Sequence, residues 1–259
     1  MTPPSAAPPF LARRSDDEVA GRYRSAGWLP AELYCRLILE DLAVVPETAD
    51  APTVLDIGCG KGLMGIPLLQ EHIAAFAGTY IGIEPDPQVE PAPVFSTVIC
   101  STFELAPLPA ASVDLAYSVM VLEHLREPAD FFGKLARVLR PGAVFWGFTV
   151  DRRHYFSWGS QAMDALRLKD RYLDRVRGRK GEADARYDNY PTFYRCNSPT
   201  ALHALVERTF TLQTWSLHRV GQLDGYMPYR LRRLSRVADR AFIRLGLPGS
   251  VLVARMVRR

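Results

Sequence analysis

A chain of 259 residues with 48% hydrophobic content holds enough apolar material for one full core, and its formal charge of +4 is modest for a protein built to grip nucleic acid. Its longest apolar runs, such as Ile73-Ala74-Ala75-Phe76-Ala77, stop far short of the ~20 residues that span a bilayer, so no transmembrane helix is predicted. Cys35, Cys59, Cys100 and Cys196 lie far apart with no C-x-x-C pair, which argues against a zinc site or redox dithiol and suits reduced thiols in a cytoplasm.

Residues 1–14 lack the charged start and apolar stretch of a signal peptide and are too proline-rich for a helix. A disordered leader is expected there, with a single domain over 15–259. Leading helices are predicted at 16–25 and 31–42, the second with Leu33, Leu37, Ile38 and Leu42 at helical spacing. A strand at 53–57 precedes a helix at 63–76, in which Pro67 is an awkward early-turn residue. Strands follow at 79–84, 96–100 and 114–118, then a helix at 130–139, a turn Arg140-Pro141-Gly142 and a fifth strand at 143–149.

Beyond that strand two insertions are expected, at about 151–195 and 222–247. The first includes a helix-like portion at 160–177. Between them a helix at 198–208, capped by Asn197 or Ser198, leads into a sixth strand at 211–218, and a last strand follows at 250–257. Strands alternating with helices imply right-handed crossovers and a parallel sheet.

The most informative stretch is Val54-Leu55-Asp56-Ile57-Gly58-Cys59-Gly60-Lys61-Gly62, a buried strand running into a glycine-rich turn. Glu84 closes a second strand twenty-two residues after Gly62. Glycines at a strand end let a ligand approach the backbone, and a carboxylate about 20 residues on can accept both hydroxyls of a ribose. The dinucleotide fingerprint needs its third glycine three positions after the second, and a P-loop needs Ser or Thr after its lysine. Gly58, Gly60, Lys61 and Gly62 satisfy neither.

This run, with Glu84, the segment from Glu104 to Pro109, Ser112-Val113-Asp114-Leu115-Ala116-Tyr117-Ser118, Leu122-Glu123-His124 and Leu139-Arg140-Pro141-Gly142, resembles a class I S-adenosylmethionine-dependent methyltransferase of the ubiquinone and menaquinone type. The resemblance covers roughly residues 50–150. It implies an α/β, Rossmann-like, doubly wound and mostly parallel seven-stranded sheet, its last strand antiparallel, plus helical insertions. It also implies S-adenosyl-L-methionine as cofactor, no metal, and leading helices that lid the cofactor cleft.

By the same resemblance, Asp56 would orient the glycine loop and reach the methionyl ammonium through a water, while Gly58, Gly60 and Gly62 admit the methionyl part. Glu84 would hold the ribose diol with charge-assisted hydrogen bonds. Thr102 stands where an aspartate is common near the adenine, a departure that weakens one contact, and the Phe103 amide would reach an adenine nitrogen. Ser118 and Val119 would floor the cofactor.

Methyl transfer asks mainly that the acceptor be held in line, with a general base needed only if a proton must leave. His124 is the base candidate by position, with a structural role as the alternative. His154, Tyr155, Tyr190, Tyr194 and Arg195 are candidates for an acceptor pocket, or for packing an insertion onto the core. Nucleic-acid amino-methylation motifs are absent after the fourth strand, where Ser118-Val119-Met120-Val121 stands.

The expected function is O-methylation of a small-molecule, sugar or lipid-linked acceptor. The alternatives are a catalytically silent cofactor-binding scaffold or a nucleic-acid methyltransferase. Basic residues crowd 167–180 and 230–245. In the second segment Leu231, Leu234, Ala238, Phe242 and Leu245 share a helical face, so that helix either caps the core or touches anionic membrane lipid, with nucleic acid the weakest reading.

Overall fold

The computed structural model of the chain describes residues 16–24, 29–45, 51–177 and 190–259. The expected leader and the basic residues Arg179 and Lys180 lie outside the described residues. Seven strands, β1 (Thr53–Ile57), β2 (Thr79–Ile83), β3 (Thr97–Ile99), β4 (Val113–Val119), β5 (Leu139–Val150), β6 (Phe210–Leu217) and β7 (Val251–Arg258), form one sheet in the order β3-β2-β1-β4-β5-β7-β6. The first five are parallel, and β7 pairs antiparallel with both β5 and β6. The expected mostly parallel sheet with an antiparallel last strand is therefore present.

Strand residues alternate between two apolar layers. Val54, Leu115, Tyr117, Val144 and Trp146 face the layer packed by α1 (Asp16–Arg24), α2 (Pro30–Leu42) and α3 (Pro67–Ala74). Leu55, Ile57, Ala116, Phe145 and Leu252 face the layer packed by α4 (Pro128–Val138) and α7 (Pro199–Val206). Burial on both faces is why the central strands read as continuous hydrophobic runs. Within the first layer Asp41 of α2 accepts hydrogen bonds from Arg255 Nε on β7 at 2.6 Å and from Trp146 Nε1 on β5 at 2.9 Å.

Three local expectations are corrected and one open alternative is decided. The helix predicted from residue 63 begins at Pro67, because Gly58, Gly60, Gly62, Met64 and Gly65 all have positive φ and a right-handed helix cannot run through them. Pro67 thereby sits at the first helical position, where its missing N–H costs nothing. The residues 140–142 are part of β5: Val113 pairs with Leu139 and Leu115 with Val144, so a bulge absorbs Arg140-Pro141-Gly142.

The helix expected over 160–177 is two helices, α5 (Tyr155–Ala165) and α6 (Lys169–Arg177), broken where Arg167 takes φ 54°. Finally, of the alternatives left open for α8 (Arg232–Arg244), burial of its leucine face on the core is the one the structure does not show. Its buried residues are Ser235 and Asp239, with Phe242 half-buried beside them, and Leu231, Leu234 and Leu245 are exposed. A buried carboxylate bonded on three sides overrides the apolar pattern there. Asp239 accepts from the Tyr155 hydroxyl at 3.0 Å, from the Gly221 amide at 2.8 Å, and pairs with His218 Nε2 at 3.1 Å.

Ser198 caps α7, its hydroxyl accepting the Ala201 amide at 3.3 Å. Asn197 instead is fully buried and donates to Thr149 Oγ1 at 2.7 Å and to the Val150 carbonyl at 3.1 Å.

Candidate functional site

The strand order reverses direction at β1 and β4, which are neighbours whose onward crossovers go opposite ways. In open α/β sheets such a switch point opens a crevice at the strands' carboxyl ends, and ligands bind there. The glycine turn, the end of β2 and the residues after β4 all meet at that edge.

The turn is laced to the end of β2, with the Gly58 and Cys59 amides both donating to the Ile83 carbonyl at 2.8 and 3.0 Å. Immediately beyond, Glu84 turns its carboxylate back onto the turn. Oε2 accepts the Gly60 amide at 3.0 Å and Oε1 the Asp86 amide at 3.1 Å. Burial raises the Glu84 pKa, and these two amide bonds oppose the rise. A carboxylate has about four lone-pair sites, so one holding two amides retains capacity for two hydroxyls.

Two of the glycines are demanded by the chain's own packing. A Cβ on Gly58 would lie 2.5 Å from Val121 Cγ2, and one on Gly62 would lie 2.6 Å from the Pro67 nitrogen; φ is +76° and +125° at these positions. The contact to Val121 brings the turn after β1 against the segment after β4.

Asp56 is buried, on the face that carries α3. Tyr117 donates its hydroxyl to Asp56 Oδ2 at 2.7 Å, Gln70 Nε2 donates to the same oxygen at 2.8 Å, and the Tyr80 and Tyr117 hydroxyls share a short hydrogen bond. Gln70 Nε2 also donates to the Cys59 carbonyl at 2.8 Å, so Asp56 acts on the turn through this amide. Burial pushes the Asp56 pKa up to about 7, against the lowering by the Tyr117 and Gln70 hydrogen bonds.

After β3, Thr102 is exposed and its carbonyl accepts the Leu105 and Ala106 amides. The Phe103 ring is buried 4.9 Å from that of Phe131, with the Lys134 ammonium above it. Ser118 is fully buried and its hydroxyl has no hydrogen-bond partner among the described residues. Val119, Met120 and Val121 supply the partly exposed surface at the end of β4, with Met120 held at φ 56°.

His124 is half-buried in the 3-10 turn Leu122–His124. Its Nδ1 lies 2.9 Å from the Pro191 carbonyl, which can only accept, so Nδ1 carries the proton and neutral His124 presents a lone pair on Nε2. Tyr190 packs edge-on at 5.8 Å. The 190–195 segment is pinned by Glu123, whose carbonyl accepts the Phe193 amide at 2.8 Å and the Tyr194 amide at 3.2 Å. The Glu123 side chain is buried, accepts from Thr149 at 2.6 Å, and has its pKa raised by burial.

Thus the structure brings His124, Tyr190 and Pro191 together, with Arg195 bonded to the Arg126 carbonyl at 2.6 Å close by. It does not bring His154 or Tyr194 to an open surface. His154 is fully buried, caps α5 by accepting the Phe156 amide, and packs at a tilt with its ring centroid 4.8 Å from that of His218, its pKa pushed down to about 4 chiefly by burial. Tyr194 is 5% exposed and points its hydroxyl at Ser160. Both pack the insertion onto the sheet, as burial of large side chains favours.

Gln70, Tyr117, Glu123 and Thr149 escape the sequence reading. A lone amide between Leu69 and Ile73 on a helix was a usable signal for Gln70, and period-two alternation puts Tyr117 on the face that carries Asp56. Among the described residues no group of three His, Cys, Asp or Glu side chains is arranged to hold a metal ion.

Fold and strand order together define a doubly wound α/β protein with a switch point between β1 and β4. Residues 55–147 match the family described as Methyltransferase domain. A probable S-adenosylmethionine-dependent methyltransferase of Mycolicibacterium smegmatis is 40% identical over 104 residues, 38% of each chain. A ubiquinone biosynthesis O-methyltransferase of a Methylobacterium species is 29% identical over 115 residues, 41% of this chain and 44% of that protein. An S-adenosylmethionine-dependent methyltransferase from Archaeoglobus fulgidus superposes with a TM-score of 0.53 at 15% identity, covering 88% of this chain and 94% of that one, which shows a shared fold.

The chain therefore carries a class I S-adenosylmethionine-dependent methyltransferase domain, and S-adenosyl-L-methionine is the cofactor of that class. The chain spans 38% to 62% of the length of these curated relatives and of an uncharacterized methyltransferase from a Mycobacterium species.

Proposed function

We propose that this protein transfers the methyl group of S-adenosylmethionine to an oxygen of a small-molecule, sugar or lipid-linked acceptor. The observation that carries the reading is the Glu84 carboxylate folded onto the Gly60 amide at the switch-point edge, which holds an anionic acceptor of hydroxyls beside a backbone shaped for close approach.

In this reading Glu84 takes the ribose diol, and the main chain of Gly58, Gly60 and Gly62 faces the methionyl part. Asp56 keeps the turn in register through Gln70. Thr102 and the Phe103 main chain receive the adenine, and Ser118 with Val119 supports it from below. The bound cofactor supplies an electrophilic methyl on a sulfonium.

His124, fixed by Pro191, offers Nε2 to take the acceptor's proton as the oxygen–carbon bond forms. Met120, Tyr190 and Arg195 line the approach on that side, and none of the described helices is long and apolar enough to cross a membrane.

Calorimetry tests the cofactor site. The native chain should bind S-adenosylmethionine, and Glu84→Gln should weaken it by about 10- to 100-fold, the loss of one charged hydrogen-bonding group. Absence of heat with the native chain would overturn the assignment. Incubation with labelled cofactor and fractionated metabolites, glycans and lipids should identify the acceptor. With that acceptor, His124→Gln should lower kcat by about 100-fold or more while cofactor affinity stays. An unchanged kcat would remove the base.

A further inference from the structure

On a helical wheel at 100° per residue, Leu234, Val237, Ala241 and Leu245 of α8 and its C-terminal end fall within roughly 80° of arc. All four are exposed, Leu234 at 67%, Val237 at 57% and Leu245 at 72%. Tyr229, Leu231 and Leu247 extend the same apolar patch at its two ends. Beside the stripe run Arg233, Arg240 and Arg244, with Arg230 preceding the helix, all exposed and none facing a carboxylate among the described residues. The opposite side is locked inward by Asp239, on Tyr155, His218 and Gly221, and by Phe242, whose ring lies 5.3 Å from His154 and 5.0 Å from Tyr155. The outward side is therefore fixed in place and has no intramolecular partner among the described residues.

We propose that α8 docks this protein on an anionic lipid bilayer, its leucine stripe entering the headgroup and acyl boundary and its arginines meeting the lipid phosphates. Charge decides between occupants. A second copy of the chain would stack two rows of arginines face to face, and a nucleic acid would leave the leucines in water. A bilayer with anionic headgroups offers apolar depth and negative charge at once. α8 rests on Tyr155, His218 and Gly221, which follow β5 and β6, so docking brings that part of the sheet's carboxyl edge toward the lipid.

The proposal does not need methyl transfer, and its test is separable from that of the catalytic reading. The full chain is floated with vesicles of phosphatidylcholine alone and of phosphatidylcholine with phosphatidylglycerol, at low and high salt. It should float with the anionic vesicles, less so at high salt, and weakly or not at all with the neutral ones. The triple change Arg233→Gln, Arg240→Gln, Arg244→Gln should lower partitioning by on the order of 100-fold, about fivefold per arginine. Leu234→Ser with Leu245→Ser should lower it by at least about tenfold.

These side chains point outward, so thermal midpoint and cofactor affinity should stay at the native values in both variants. Native protein that fails to float, floats equally on both vesicles, or floats undiminished in the variants overturns the docking. So does a dimer in solution that the leucine variant dissociates, or tighter retention on nucleic acid than on anionic vesicles. Protein that binds S-adenosylmethionine and does not float overturns docking alone; protein that floats and gives no heat with the cofactor overturns the catalytic reading alone.

Discussion

The glycine-turn half of the sheet and the helical cap over its other end treat polar groups in opposite ways. Around the turn, Asp56, Gln70 and Glu84 are buried and bonded to the chain. Around α8, Arg230, Arg233, Arg240 and Arg244 stand in solvent. A buried polar atom must find its partner in one geometry, so the first region has a single register and little tolerance. The second is held through few points, chiefly Asp239, and leaves its remaining chemistry for something outside the molecule.

The largest test of that contrast is Gly62→Ala. A side chain there meets backbone at 2.6 Å in a φ +125° conformation, so a loss of at least about 3 kcal/mol is expected by denaturant titration, together with loss of cofactor binding. A stable, binding-competent Gly62→Ala protein would show the turn to be as permissive as the cap. Next, Asp239→Ala strands the Tyr155 hydroxyl and the Gly221 amide and should cost about 2 kcal/mol. Amide exchange should quicken in α8 while the turn stays protected, and equal quickening in both regions would erase the distinction between them.

The smallest effect is in pH. Burial raises the Asp56 pKa above its unfolded value, so its contribution is fully present below about pH 4 and is lost as pH rises through about 7. Asp56→Asn, which cannot ionise, should therefore gain in Tm over the native chain at pH 8 relative to pH 4 by a few degrees, at about 2–4 °C per kcal/mol, in cofactor-free protein. A difference that does not change with pH would show that Asp56 is not held in its neutral form by burial.

Much of this was legible where the cause is local. Thr53–Ile57 is a strand bounded by a glycine turn, and alternating elements imply the parallel pairing of the first five strands, while the doubly wound order was implied by the family resemblance. What escaped depends on distant chain. Pro67 reads as a defect until five positive-φ residues before it are seen to postpone the helix. Arg140-Pro141-Gly142 reads as a turn until Leu139 is seen paired with Val113. In α8 the leucine spacing left open whether the apolar face caps the core or turns outward, and Asp239, one residue among many polar ones, decides it because Tyr155, His218 and Gly221 arrive from elsewhere. His154 and Tyr194 looked like pocket residues for the same reason: no local pattern separates an aromatic that lines a cleft from one that seals it.

The tie between Asp41, Trp146 and Arg255 has a temporal consequence. The carboxylate and its guanidinium are 214 residues apart. As the chain leaves the ribosome, Asp41 emerges long before Arg255 does, and an ionised carboxylate cannot settle into the apolar layer alone. α2 therefore gains this partner only with β7 in place between β5 and β6, so the tie joins an early helix of the chain to its last strand.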